Sequence, residues 1–120
     1  MLYNRYMKNK GLKMIREGNF DIIEISQLVK SSIQADLVYE NWRYSNEVRI
    51  VFLCFEKYYF RNNSTAGLSL LITDSNSAQT IDVVGFGGGE GLFNLSWGAN
   101  SDFLESVVSI LKEKGFNISR

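Results

Sequence analysis

The sequence predicts an α+β protein: a curved antiparallel sheet of five to six strands with two helices on one face, in the order β-α-β-β-β-β(-β)-α. Three observations carry this. Two segments, one near each end, place apolar residues at helical spacing. Between them lie several runs that alternate with period two. Short polar turns join those runs, which favours antiparallel pairing and sets the strands apart from the helices.

The chain has 120 residues, 45% apolar and 22% charged, which suits one globular domain over residues 11–120. Residues 1–10 form a basic arm, with Arg5, Lys8 and Lys10 ahead of any acid, expected to fray. A first strand is expected over 11–17, ended by Gly18-Asn19, with a helix continuing from residue 3 as the alternative. In NFDIIEISQLVKSSIQAD, Asn19 or Asp21 caps a helix, and Ile22, Ile25, Val29 and Ile33 form its apolar stripe, widened by Leu28.

LVYENWRY then alternates Val38, Glu40, Trp42 and Tyr44 against Leu37, Tyr39, Asn41 and Arg43, a pattern for a strand at a sheet edge. EVRIVFLCFEKYYF is apolar on both alternations, so it reads as a central strand covered on both sides. Its Cys54, the single cysteine, reads as a small buried hydrophobe. After a loop over 62–67, residues 68–73 and 80–86 form two further strands.

Five of the ten glycines fall between Gly85 and Gly91. The dinucleotide fingerprint fails, because Glu90 stands where its third glycine belongs, and no Lys-Ser or Lys-Thr follows to make a P-loop. LFNLSW after the glycines alternates like a strand, so Gly87, Gly88 and Gly89 are expected to form a turn or bulge that binds no phosphate. The closing helix, in ANSDFLESVVSILKEKGF, is capped by Asn100 or Ser101. It buries Phe103 or Leu104, Val107, Val108 and Leu111, and ends at Gly115.

This order is similar to the TATA-binding-protein-like and helix-grip folds over residues 11–116. The resemblance rests on element order and implies a curved sheet with a long C-terminal helix, and no function. IDVVGFGGGEGLFNLSWG followed by DFL also resembles small bacterial families of unknown function.

Composition excludes several chemistries. The chain has no histidine, so Ser-His-Asp and Cys-His catalysis and histidine zinc sites are absent. The acids Glu40, Glu56, Asp74, Asp82 and Glu90 are scattered, each explained by a solvated strand face or turn, and name no acid–base pair. The expectation is therefore no catalysis and no cofactor. A formal net charge of zero argues against nucleic acid. No run reaches membrane-spanning length and no signal peptide is visible, so a cytoplasmic location is the default expectation.

Eight Phe, six Tyr and two Trp exceed what a core of this size needs, which points to binding. The first reading is a module for a small apolar ligand, lined by Trp42, Tyr44, Tyr58, Phe86, Phe93 and Trp97. The alternative is a protein-interaction or homodimerisation domain using an aromatic sheet face, with Trp42, Arg43, Tyr59 and Arg61 as contacts. The ordinary-core reading of the same aromatics stands beside both.

Overall fold

The structure is a computed structural model that describes residues 11–60, 63–87 and 102–119. The elements run β1 (Gly11–Glu17), α1 (Ile22–Ser32), β2 (Asp36–Ser45), β3 (Val48–Tyr59), β4 (Ser64–Asp74), β5 (Ala78–Gly87), α2 (Asp102–Glu113) and β6 (Asn117–Ser119). The six strands form one antiparallel sheet in the order β2-β3-β4-β5-β1-β6. The expected strand in LFNLSW, the arm over 1–10 and the turn glycines Gly88 and Gly89 lie outside the described residues.

The start of α1 and the end of α2 each have a local cause. At the N-terminus of α1, the Asp21 carboxylate accepts a hydrogen bond from the Ile23 amide at 2.9 Å. Four residues of the helix, Ile22, Ile25, Ser26 and Val29, are buried. Helix α2 buries Phe103, Leu104, Val107 and Leu111. It ends where Gly115 takes a φ of 96°, which lets the Gly115 amide reach the Lys112 carbonyl and the Phe116 amide reach the Leu111 carbonyl. This Schellman turn folds Phe116 back beside Leu111 in the core and launches β6, which pairs with β1. Three residues with one apolar side chain leave no periodic signal, so β6 was not legible as a strand.

Met14, Val51, Leu53, Phe55, Ala66, Leu68, Leu70, Ile72, Ile81 and Val83 occupy one sheet face and pack with the buried stripes of both helices into one core. Among the described residues, none gives the opposite face such a cover. Phe52 and Leu71 are each 37% exposed there, and Val84 and Phe86 about half exposed. This corrects the expectation that β3 is covered on both sides. Its outward alternation of Ile50, Phe52 and Cys54 is apolar without being enclosed, and Cys54 is half-buried, with its Sγ 3.5 Å from Ser69 Oγ.

Two further corrections concern register. Strand β4 begins at Ser64, so the expected loop over 62–67 is shorter; Thr65, Ala66 and Gly67 pair with Tyr58, Lys57 and Glu56. In β2 a bulge between Leu37 and Tyr39 shifts the alternation. Leu37 stands opposite buried Phe55, while Tyr39 stands opposite Cys54 on the outer face, so the two do not share a side.

Candidate functional site

Register defines the outer face row by row. Arg43, Ile50, Thr73 and Thr80 form one row across β2, β3, β4 and β5. Asn41, Phe52, Leu71 and Asp82 form the next, followed by Tyr39, Cys54, Ser69 and Val84, and then Glu56, Gly67 and Phe86. Tyr39 meets Phe52 edge to face at 5.9 Å between centroids. Together with Asn41, Arg43, Ile50 and Leu71 these two rings line an open depression of about 310 Å³.

Charge on this face is unevenly placed. Asp36 stands directly opposite Glu56 at one end of the β2–β3 pair, and both are exposed. Arg43 stands at the other end, where its Nε donates to Asn41 Oδ1 at 3.1 Å. None of the three makes an ion pair among the described residues, whose two salt bridges are Lys30–Glu40 and Arg49–Asp74. Six residues separate the Glu56 row from the Arg43 row along β3, a span of about 20 Å at roughly 3.3 Å per residue, so neither charge neutralises the other within one chain.

The four residues of the predicted aromatic site that are described, Trp42, Tyr44, Tyr58 and Phe86, do not share one face of the sheet. Trp42 and Tyr44 lie on the helix side of edge strand β2, stacked with centroids 6.3 Å apart and planes at 15°. Tyr58 and Phe86 lie on the outer face, and the Tyr58 hydroxyl donates to Asn63 Oδ1. Tyr59 is half-buried on the helix side with Lys57 above its ring. Phe93, Trp97, Arg61 and Glu90 lie outside the described residues. Tyr39, Phe52 and Leu71, which the structure brings together, were hidden because a sequence cannot tell an apolar residue facing a second layer from one facing open space.

The acids resolve individually. Glu40 Oε2 accepts from the Trp42 indole at 2.7 Å and lies 3.1 Å from Lys30 Nζ. The Trp42 hydrogen bond is the largest influence and lowers its carboxyl below the ordinary value; burial opposes it, and the hydrogen bond and charge of Lys30 lower it further. Asp82 faces Lys13 across the β1–β5 pair. Asp74 departs from the solvated reading: it is buried at 3% exposure, with Oδ2 2.8 Å from Arg49 Nη2.

Asp74 belongs to a polar row on the helix side, in which Arg49, Asp74, Gln79 and Arg16 are successive cross-strand neighbours on β3, β4, β5 and β1. Arg16 Nε donates to Gln79 Oε1 at 3.0 Å, and Arg16 Nη1 donates to the Lys114 carbonyl at 2.8 Å. The guanidinium lies 3.8 Å from the Phe20 ring centroid and 4.6 Å from that of Phe116. Burial lowers its pKa from the ordinary arginine value, while Glu24 and Asp74 pull it back up. The row ties the C-terminal end of α2 to the sheet.

The described residues hold no group of three or more metal-ligating side chains, and no helix among them is long and apolar enough to cross a membrane. They define an α+β domain whose six-stranded antiparallel sheet is covered by helices on one side and bears an exposed apolar surface on the other. The chain belongs to a family of unknown function, DUF6054, whose model matches residues 15–115. No curated protein and no solved structure matches it.

Proposed function

We propose that the protein is a non-catalytic self-association domain, and that two copies pack through the outer faces of their sheets. The observation that carries this reading is the exposed apolar face centred on Phe52 and Leu71. A one-sided sheet ordinarily turns polar residues to water; here the outward positions include Tyr39, Ile50, Phe52, Leu71, Val84 and Phe86. Strands about 4.8 Å apart and about ten residues long give five of them a face of roughly 20 by 30 Å. With side chains standing off it, that approaches the roughly 800 Å² per partner of a standard interface.

The charges favour a second copy as the occupant. A two-fold axis in the interface, perpendicular to the strands, lays β2 on β2 with its direction reversed. Arg43 of each copy then meets the Asp36–Glu56 pair of the other. This arrangement would neutralise two acids that are destabilising side by side and supplies both ends at once, as an isologous interface does.

The small-ligand reading finds less support on this face, since the depression beside Phe52 is open rather than enclosing. Sedimentation across a concentration series tests the proposal. The wild type should dimerise reversibly, and Leu71→Glu should be a folded monomer. Arg43→Glu should weaken the dimer about tenfold or more, and the added change Glu56→Arg should restore it. A wild type that stays monomeric at millimolar concentration sinks the reading; a dimer indifferent to these variants places its interface elsewhere.

A further inference from the structure

We infer that the cleft mouth around Lys57, on the helix side of the sheet, binds a small carboxylate with an apolar body. Lys57 points from β3 into a depression of about 310 Å³ lined also by Ser32, Gln34, Phe103 and Ser106. These residues come from three elements: the C-terminal end of α1 with the residues after it, the inner face of β3, and the first turns of α2. The volume is at the lower end of the range for small-molecule sites.

The charge on the described lining is that of Lys57. The Lys57 ammonium stands 5.5 Å from the Tyr59 ring centroid and 5.7 Å from that of Phe103, which hold its position without neutralising it. It is half-buried and makes no ion pair among the described residues. Among the described residues, no acidic side chain lines the depression. Ser32 and Gln34 add a hydroxyl and an amide whose donors have no partner among the described residues. Ser106 is different: its hydroxyl is turned to its own helix, donating to the Phe103 carbonyl at 3.0 Å.

A half-buried cation with uncommitted donors beside it is satisfied by an anion. Phe103, otherwise buried, lines the depression beside that charge, and the methylene stem of Lys57 adds apolar surface to it. The complementary ligand is therefore a carboxylate head on a short hydrocarbon or aromatic body. Its head would lie on Lys57, Ser32 and Gln34, and its body against Phe103. This site is on the opposite side of the sheet from Phe52 and Leu71, so it is independent of self-association.

Octanoate is the probe, titrated into the full chain and followed by amide chemical shifts. Saturable shifts should concentrate at Ser32, Gln34, Lys57 and Ser106. Lys57→Met keeps the stem against the rings and removes the charge, and should weaken binding about tenfold or more; Lys57→Arg should retain it. Gln34→Ala, at an exposed position, should weaken it by a smaller factor and guards against a folding effect of the Lys57 change. Inorganic phosphate should bind at least about tenfold more weakly, because it has no apolar body. Absence of saturable shifts, unchanged affinity in both Lys57→Met and Gln34→Ala, or phosphate binding as tightly as octanoate would each overturn the inference.

Discussion

The Phe86 ring lies across Gly67. The two are cross-strand partners on β5 and β4, and a Cβ built on Gly67 would meet the ring at 2.4 Å. The glycine is buried although it stands on the uncovered face, because the ring is its cover. A glycine inside a strand costs roughly 0.5–1 kcal/mol relative to alanine, and an aromatic neighbour offsets part of this by shielding the bare backbone.

Gly67→Ala should therefore push Phe86 off the strand and leave stability within about 1 kcal/mol of wild type, since better strand propensity offsets the extra exposure of a movable ring. Proton shifts give the check. The Gly67 Hα resonances should lie upfield in the ring current of Phe86 and return toward ordinary values in Phe86→Leu. Unshifted Hα resonances in the wild type would refute the stacking.

The polar row beneath the helices makes a second expectation. Asp74 Oδ1 and Gln79 Nε2 are buried without a hydrogen-bond partner among the described residues, on neighbouring strands and the same face. One is an acceptor and the other a donor, so a single ordered water joining them is expected in a high-resolution crystal structure. Arg16→Met, which keeps the packing between Phe20 and Phe116, should still cost about 2–4 kcal/mol in denaturant titration. It leaves Gln79 Oε1 and the Lys114 carbonyl without their donor. A loss below about 0.5 kcal/mol would mean that the two bonds contribute nothing.

Much of the fold was legible because its signals are local. The Asp21 cap, the stripe Ile22, Ile25 and Val29, and the Gly115 stop each declare themselves within a few residues. The site was less legible because it depends on layers. Phe52 and Leu53 are equally apolar neighbours, yet Leu53 is fully buried under the helices and Phe52 faces outward. The Asp74 carboxylate read as a solvated turn residue because Arg49 and Gln79 become its neighbours only through strand register. Trp42 and Phe86 looked like two walls of one pocket until the sheet placed them on opposite faces.

Helix α2 supplies a third expectation. Leu111 is fully buried beside Phe116, whereas Glu113 is exposed on the last turn. Leu111→Ala should destabilise by about 2–5 kcal/mol, as truncation of a packed leucine does. Glu113→Ala should stay within about 0.5 kcal/mol. Equal shifts of the two denaturation midpoints would contradict the observed helix phase.

The Glu40–Trp42 contact makes the protein's response to acid readable by fluorescence. The indole N–H donates to Glu40 Oε2, and Lys30 adds its charge from α1, so folding lowers the Glu40 pKa from the ordinary carboxylate value. A depressed carboxylate contributes stability that is present in full above its unfolded pKa, near 4.3 for glutamate, and is lost as pH falls through the lower folded value. The contact is exposed, so the effect on global stability is small. The local effect should be clear: indole emission from Trp42 should change in a single step below the ordinary glutamate range, before the global unfolding detected by circular dichroism. Trp97→Phe isolates the Trp42 signal, since these are the two tryptophans of the chain. In that background Glu40→Gln should abolish the step, because the amide no longer titrates. A step that persists in Glu40→Gln, or one centred above the ordinary glutamate value, would show that another group governs the emission.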